Sequence, residues 1–327
     1  MKRTAKTIIV SLILLVCLLV SALALAACNN KDDFVASYAN AKSAWDGAEY
    51  KMSTDTGVID ATLGSGENAL PVTITLEGKR AYLGGEFRMD YTVKVDGLAD
   101  IASGFLSTTI KKGLTINLSA HKNSAGVFTL NATADVYLYE DMESPIKYPL
   151  VEGVTFTEQS LHDTIPVLDF GMNTFYDAEL ISGSASNYTI PGESALDWIL
   201  QQVAPILAYD AGYDIMPMIY DWIDFGDVTG SVTFSDGNFS AMTTSQDITA
   251  FMPYEDAEFL AYNVEFFPME LFKLIENKTL EITGLITLDL SEIITDGIRI
   301  SGNVSTSAQY TILSADTTFS DIFPAEA

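Results

Sequence analysis

"GLTINLSAHKNSAGVFTLNATADVYL", Gly113 to Leu138, is the stretch that decides the fold of this 327-residue chain. On both sides of the central "KNSAG", apolar and polar residues alternate one by one, as they do on a half-buried strand. The connection between them is of hairpin size and contains glycine. Clean alternation gives one buried and one wet face, which is typical of antiparallel sheet. The apolar positions are Leu114, Ile116, Leu118 and Ala120, then Phe128, Leu130, Ala132, Ala134, Val136 and Leu138.

The same pattern recurs through the second half of the chain. "FSDGNF" joins residues 228–235 to residues 238–251, with Asp236-Gly237 suited to a tight turn. Alternation also runs over 280–290 and 298–312. Such strands are longer than the usual 5–6 residues or so, and long antiparallel strands twist and curl. We therefore predict a mainly β protein with a few helices (α+β), built on a long, curved, half-barrel-like antiparallel sheet packed on helices.

Helical spacing of apolar residues predicts three helices. They cover Phe34–Trp45, a segment that begins at Ser194 as N-cap, and Ile215–Ile223. The Gly/Ser/Pro-rich "GSASNYTIPG", 183–192, is the best candidate for a domain boundary. It divides the chain into an N-terminal β-rich half, 34–182, and a second half, 183–327, with a helical hairpin and further strands. One continuous domain over 34–327 is the alternative.

The first 27 residues have the composition of a secretory leader. Lys2, Arg3 and Lys6 precede a run, Ile8 to Ala27, in which only Ser11 and Ser21 are polar. A basic start, an apolar centre and a small-residue end are the parts of a signal peptide. The run is also long enough to span a bilayer, so an uncleaved anchor is the other interpretation.

The end of this leader, Leu25-Ala26-Ala27-Cys28, resembles the cleavage motif of bacterial lipoprotein precursors. The resemblance implies that residues 1–27 are removed and that the Cys28 thiol carries a diacylglyceryl group. The protein would then be extracytoplasmic and lipid-anchored to the bacterial cell membrane. Residues 28–33 would form a tether, in which the five residues before Phe34 reach roughly 17 Å.

The order of lipid anchor, short helix and long alternating strands is similar to the lipoprotein-localisation-factor family of LolA/LppX-like lipoproteins. That resemblance implies an incomplete antiparallel barrel closed by helices over an apolar cavity for acyl chains. It suggests a non-catalytic lipoprotein that binds or shields an apolar ligand.

The charge balance limits the choice of partner. The chain has 44 acidic against 17 basic residues, a net charge of −27, and no Lys or Arg between Tyr148 and Phe272. Such a surface repels phosphate backbones, which excludes nucleic acid. It would attract divalent cations or polycationic partners, although scattered carboxylates also simply keep an exported protein soluble.

The sequence carries no catalytic motif, and we predict that the protein is not an enzyme. Only two histidines exist, His121 on the wet face of a predicted strand and His162. The two histidines and the absence of a free cysteine give no zinc spacing, and no glycine-rich nucleotide loop is present. We predict neither a metal nor a cofactor.

One segment, "YDAGYDIMPMIYDWIDFGD" from Tyr209 to Asp227, alternates aromatic residues with aspartates. Aromatic faces and carboxylates suit a glycan, a basic peptide or another envelope protein. The alternatives are a mobile lid over an apolar cavity, with the methionines as adaptable lining, and a helical hairpin that fills the sheet. The candidate ligand-binding residues are Tyr209, Tyr213, Met216, Met218, Tyr220 and Trp222.

Overall fold

The long alternating segments form the strands of one large antiparallel sheet. The computed structural model describes residues 31–157, 175–184, 186–211, 216–263, 277–282 and 285–324. Its elements are α1 (Lys31–Gly47), β1 (Tyr50–Leu63), β2 (Leu70–Leu83), β3 (Glu86–Asp96), β4 (Ala102–Ser103), α2 (Ser107–Lys111), β5 (Leu114–Lys122), β6 (Val127–Val136), β7 (Ile146–Thr157), β8 (Ser182–Ser184), β9 (Asn187–Ile190), α3 (Gly192–Ala211), α4 (Met216–Trp222), β10 (Ile223–Phe225), β11 (Val228–Ser235), β12 (Asn238–Pro253), α5 (Tyr254–Asn263), β13 (Thr279–Ile282), β14 (Ile286–Asp289), β15 (Gly297–Ile312) and α6 (Phe319–Ile322).

The large sheet has the strand order β7-β6-β5-β3-β2-β1-β15-β12-β11-β9-β8, and β10 pairs with β12. Strand β15, near the end of the chain, lies between β1 and β12. It therefore joins strands that come from both halves of the sequence. A second, three-stranded sheet has the order β13-β14-β4. The predicted mainly β class and the large antiparallel sheet are confirmed, and the described strands leave that sheet open.

Both predicted hairpins are confirmed. Strands β5 and β6 pair across "KNSAG", and β11 pairs with β12 across Asp236-Gly237. Asp236 and Gly237 both have positive φ, 51° and 77°. That backbone conformation is the one that an Asp-Gly turn adopts most easily.

Helix α3 begins at Gly192 rather than after Ser194, so the predicted N-cap is wrong. The amide of Gly192 donates to Oδ1 of Asp227, 3.1 Å away. A carboxylate that follows the helix in sequence thus takes the place of a local cap. The third predicted helix is confirmed as α4, although Ile223 already belongs to β10. In the described part of the chain, no helix is both long and apolar enough to cross a bilayer.

Aromatic side chains of α1 contact the inner face of the large sheet. The ring of Trp45 lies 5.0 Å from that of Tyr310 on β15, and the ring of Tyr38 lies 5.3 Å from that of Phe239 on β12. Phe175 stacks on Phe239 at 4.7 Å. All five residues belong to one buried cluster. Such pairs add to the stabilisation that burial of their area provides.

A lysine on β1 holds the end of α1. The ammonium group of Lys51 donates to the carbonyl oxygens of Trp45 at 2.7 Å and Asp46 at 3.4 Å. The Trp45 carbonyl also accepts from the amide of Ala48 at 3.2 Å. A cation at a helix C-terminus interacts favourably with the helix dipole. Desolvation lowers the pKa of Lys51, although Asp46 opposes that shift.

The buried tyrosines predict a loss of stability in alkali. Burial raises the pKa of each above its unfolded value near 10, so above that pH only the unfolded chain releases these protons. The free energy of unfolding should therefore fall as pH rises above 10, by about 1.4 kcal/mol per pH unit for each tyrosine. The tyrosines are Tyr38, Tyr91, Tyr176, Tyr188 and Tyr310.

Urea unfolding between pH 9 and 11.5 measures this slope. We expect Tyr176→Phe to make the fall in stability with pH shallower. That variant removes one hydroxyl group that loses its proton only when the chain unfolds. Phe105→Leu, at a position that is 69% exposed and without an ionisable group, is the control and should leave the slope unchanged. A stability that does not change across this pH range would contradict the prediction.

Candidate functional site

A polar network is buried in the middle of the large sheet. Asp55 on β1 is fully buried, and its Oδ2 accepts hydrogen bonds from Ser53 Oγ at 3.0 Å and from the hydroxyl of Tyr91 on β3. Arg80 on β2 places Nε 3.3 Å from the same Oδ2 and donates to Ser53 Oγ at 2.6 Å. Tyr310 on β15 is hydrogen-bonded to Arg80. The network thus connects four adjacent strands.

The charge state of this network follows from its partners. Burial lowers the pKa of Arg80, but Asp55 and Tyr91 more than offset that effect, and the pKa lies above its ordinary value. The guanidinium therefore stays protonated beside the carboxylate. Asp55 Oδ1 is buried and has no hydrogen-bond partner among the described residues. A carboxylate in such a place depends on its remaining partners.

Gly78 makes room for this arrangement. In the register of the sheet it lies beside Asp55 on one strand and Tyr91 on the other. A Cβ atom at this position would lie 2.4 Å from Cδ1 of Tyr91 and 2.4 Å from the carbonyl oxygen of Asp90. The tyrosine ring can therefore lie across β2 and place its hydroxyl against Asp55 only because residue 78 is glycine.

The outer face of the same strands carries an open groove. One part has a volume of about 1110 Å³ and is lined from β1, β2, β3, β5 and β6. A second part, of about 480 Å³, shares Arg88, Asp90, Ser119 and Asn131 with it and adds His121 and Thr129. We call the two together the outer groove. Its lining residues come from five neighbouring strands of the sheet.

The floor of the outer groove is a regular grid of polar side chains. Cross-strand partners on β3, β5 and β6 lie on the same face of the sheet. Neighbouring strands are about 4.8 Å apart, and successive same-face positions along a strand are roughly 7 Å apart. The three rows of the grid are Arg88, His121 and Thr129; Asp90, Ser119 and Asn131; and Thr92, Asn117 and Thr133.

Some of these polar side chains form hydrogen bonds with one another, and some do not. Arg88 donates to Asp90 at 2.6 Å, and Thr92 donates to Asn117 at 3.2 Å. Asn131 Oδ1 accepts from the amide of Gly153 at 2.8 Å. In contrast, three half-buried hydroxyl groups have no hydrogen-bond partner among the residues that the structure describes. They belong to Ser119, Thr129 and Thr133.

The C-terminal segment, Thr318 to Pro324, forms one wall of the outer groove. Its side chains Ile322 and Phe323 line the larger part, and Phe319 lines the smaller. The guanidinium of Arg88 lies 4.5 Å from the centre of the Phe323 ring. The rings of His121 and Phe319 meet edge to face at 6.0 Å. An apolar edge thus runs beside the polar floor.

The sequence located this floor but did not identify it as a site. Alternation placed His121, Ser119, Asn131 and their neighbours on the wet face, where polar residues are ordinary. Only the return of the C-terminal segment over β2 and β3 makes a groove of that face. That segment also buries Ala81 and Leu83 on the outer face, where they pack with Ile322 and Phe323.

The structure places the six predicted ligand-binding residues as follows. Tyr213 lies outside the described residues, and Tyr209 and Met216 lie in α3 and α4, with side chains that are not described. Met218 is half-buried. Tyr220 is exposed and donates to Asp197 Oδ1 at 2.7 Å, which connects α4 to α3. Trp222 is buried and donates through Nε1 to Asp256 Oδ2 at 2.8 Å, which connects α4 to α5.

The other predicted groups lie as follows. Cys28 and His162 are outside the described ranges, and His121 is at the outer groove. Within those ranges, no three His, Cys, Asp or Glu side chains come together as metal ligands would.

Comparisons with known proteins identify no family. No family model matches the chain. No curated protein matches it. Among solved structures, the chain is similar to the crystal structure of Neisserial surface protein A (NspA), at 5% sequence identity and a TM-score of 0.22. That alignment covers 79% of this chain and 96% of the other. A superposition at this score carries no argument about fold or function.

The buried network predicts a large stability effect at Asp55. Asp55→Ala would leave the buried guanidinium of Arg80 without its counter-ion, which costs about 3–5 kcal/mol of the free energy of unfolding. The double variant Asp55→Leu/Arg80→Met removes both charges and should recover much of that loss. Urea unfolding at pH 7 measures both.

Asp60→Ala is the matched control, because Asp60 is an exposed carboxylate on the same strand and accepts from Thr73 Oγ1 at 2.8 Å. We expect it to change the free energy of unfolding by about 1 kcal/mol or less. Equal losses in Asp55→Ala and Asp60→Ala would show that the network does not stabilise the sheet.

Proposed function

We propose that this chain is a bacterial lipoprotein, anchored to the outside of the cell membrane through Cys28, that captures an envelope partner and performs no catalysis. The observation that carries the proposal is the contrast between the two faces of the large sheet. The chain's own aromatic side chains fill the inner face, whereas the outer face presents an open polar groove.

The filled inner face argues against a carrier for acyl chains. In our proposal the sheet curves as a half-barrel around α1, so that the helix occupies the place of an apolar ligand. Supporting contacts are the ring pairs of Trp45 with Tyr310 and of Tyr38 with Phe239. The hydroxyl of Tyr38 also donates to the carbonyl of Tyr176 at 2.9 Å, which ties the helix to a distant segment. An acyl chain would have to displace these contacts.

The outer groove is also a better interaction site than the aromatic and acidic segment. Tyr220 and Trp222 both use their polar atoms in hydrogen bonds between helices. These bonds suit a structural role for α4. The outer groove instead combines a concave shape with hydroxyl groups that have no hydrogen-bond partner in the described part of the chain, and such groups can bond a polar partner.

The start of α1 supports a short anchor. The helix begins at Lys31, three residues after Cys28, and Phe34 is already fully buried. The three residue steps from Cys28 to the helix would therefore hold its start within roughly 10 Å of the membrane surface. The negative charge of the folded part would repel anionic headgroups over about one Debye length, roughly 8 Å at physiological salt. The anchor would thus hold the folded part near the bilayer, while charge repulsion would keep it off the headgroups. The outer groove would therefore stay accessible to a partner.

The anchor predicts that Cys28→Ser prevents fatty acylation. Cells that express the chain are fed an alkyne fatty acid, and the label is detected on the purified protein. Wild-type protein should carry the label and begin at residue 28, whereas Cys28→Ser should lose both properties. Cys17→Ser, within the leader, is the matched control and should keep them. An unacylated protein that still begins at Met1 would overturn the lipoprotein proposal.

The filled inner face predicts that the protein carries no lipid cargo. Protein that begins at Asn29, and so lacks both the leader and Cys28, is purified without detergent and extracted with organic solvent. Mass spectrometry of the extract should find far less than one acyl lipid per chain. Stoichiometric lipid would instead support the apolar-ligand function and remove the argument for an interaction protein.

A further inference from the structure

The direction and length of the outer groove restrict the shape of its occupant. The larger part is lined by five neighbouring strands, β1, β2, β3, β5 and β6. The four gaps between these strands span roughly 19 Å at about 4.8 Å each. An occupant that fills the groove must therefore be extended and run across the strands.

The repeat of the floor matches a chain of rings. The middle row continues from Asp90, Ser119 and Asn131 to Lys79 on β2 and Thr54 on β1, so that each strand contributes one polar side chain. A pyranose unit in an extended chain advances by about the distance between neighbouring strands, roughly 5 Å. Each unit would thus meet one polar side chain of this row.

The chemistry of the floor is that of sugar recognition. Hydroxyl groups both donate and accept hydrogen bonds. Ser119, Thr129 and Thr133 are half-buried and, in the described chain, have no partner. Among the described residues, Asn131 is hydrogen-bonded through its carbonyl oxygen alone, so its Nδ2 group can donate to a ligand. The apolar edge of Phe319 and Ile322 can contact the C–H face of a ring.

The charges favour a neutral occupant. Arg88 is paired with Asp90 at 2.6 Å, and Lys79 lies beside Glu77 in the lining, so cations and anions alternate on the floor. Residues 51–147 contain 9 basic and 12 acidic residues, whereas residues 148–327 contain 3 and 28. A polyanion would be repelled by the acidic remainder of the chain, and the near-neutral groove would not hold a polycation.

We propose that the outer groove binds an extended, neutral sugar chain of about four units that bears hydroxyl groups. This inference rests on the proposed function, because it names the partner class of the interaction protein. The chain lies across the strands from β1 to β6. The middle row of the grid forms its floor, and the C-terminal segment forms its side wall.

The test uses the protein that begins at Asn29 and the β-1,4-linked glucose oligomers from dimer to hexamer, with isothermal titration calorimetry. We expect affinity to rise with each added unit up to the tetramer and then to level off. Maltotetraose, whose α-linked chain is bent, should bind at least about tenfold more weakly than the straight tetramer. Equal affinity for both tetramers, or no heat from any oligomer, would overturn the proposal.

The variant Ser119→Ala/Thr133→Val removes two partnerless hydroxyl groups and should weaken binding of the tetramer by about tenfold or more. The matched control is Ser231→Ala/Thr243→Val, which removes two outer-face hydroxyl groups that bond each other at 2.9 Å on β11 and β12. It should bind the tetramer as wild type does. Equal losses in the two variants would place the site elsewhere and overturn the assignment.

Dextran sulfate separates sugar recognition from attraction of a polyanion. We expect no binding at 150 mM salt, and binding that weakens steeply with salt would overturn the neutral-sugar proposal. If the oligomers fail while Cys28 is acylated and no lipid copurifies, the interaction-protein proposal stands and only this inference falls. Urea unfolding of each variant verifies that it is folded.

Discussion

The structure depends on a buried ion pair at the centre of a sheet. Asp55 and Arg80 lie on adjacent strands, and Tyr91 and Tyr310 extend the contact to the strands on either side. A slip of one residue between any two of these strands would turn one polar partner to the opposite face and leave a buried charge alone. The network therefore fixes the register of β1, β2, β3 and β15. Because β15 comes from the end of the chain, the network also fixes how the first and last strands meet.

That register gives the two faces of the sheet their different characters. On the inner face, aromatic residues of α1 and of distant strands belong to one buried cluster with Tyr91 and Tyr310, and Asp55 is fully buried. A dry surrounding strengthens the attraction between Asp55 and Arg80 and makes the loss of either partner more costly. On the outer face, the same pairing aligns hydroxyl, amide and charged side chains in rows across five strands. One set of strand pairings thus produces both a closed core and an open polar surface.

The C-terminal segment changes the outer face from a wet surface into a groove. Its side chains Ile322 and Phe323 cover Ala81 and Leu83, and its ring contacts reach Arg88 and His121. These contacts join residues that are more than 190 positions apart in the sequence. Polar side chains of the outer face thereby line an open groove beside an apolar wall. For this reason, His121 belongs to a candidate site although its local sequence resembles that of an ordinary exposed histidine.

The sequence by itself determined the features that depend on near neighbours. Alternation of apolar and polar residues with a period of two predicted the strands β5, β6, β11, β12 and β15, and the Asp236-Gly237 pair predicted one turn. Adjacent residues suffice for both, because the face to which a side chain points and the geometry of a tight turn are local properties. Only the tertiary structure decided which strands pair, that Asp227 caps α3, that Asp55 meets Arg80 inside the sheet, and that the C-terminal segment walls the outer groove. Each of these contacts joins residues that are distant in sequence. The sequence around one residue of such a contact does not identify the residue that it meets. The buried charges are the clearest case, because Asp55 and Arg80 each suggest an exposed position until their mutual contact is known.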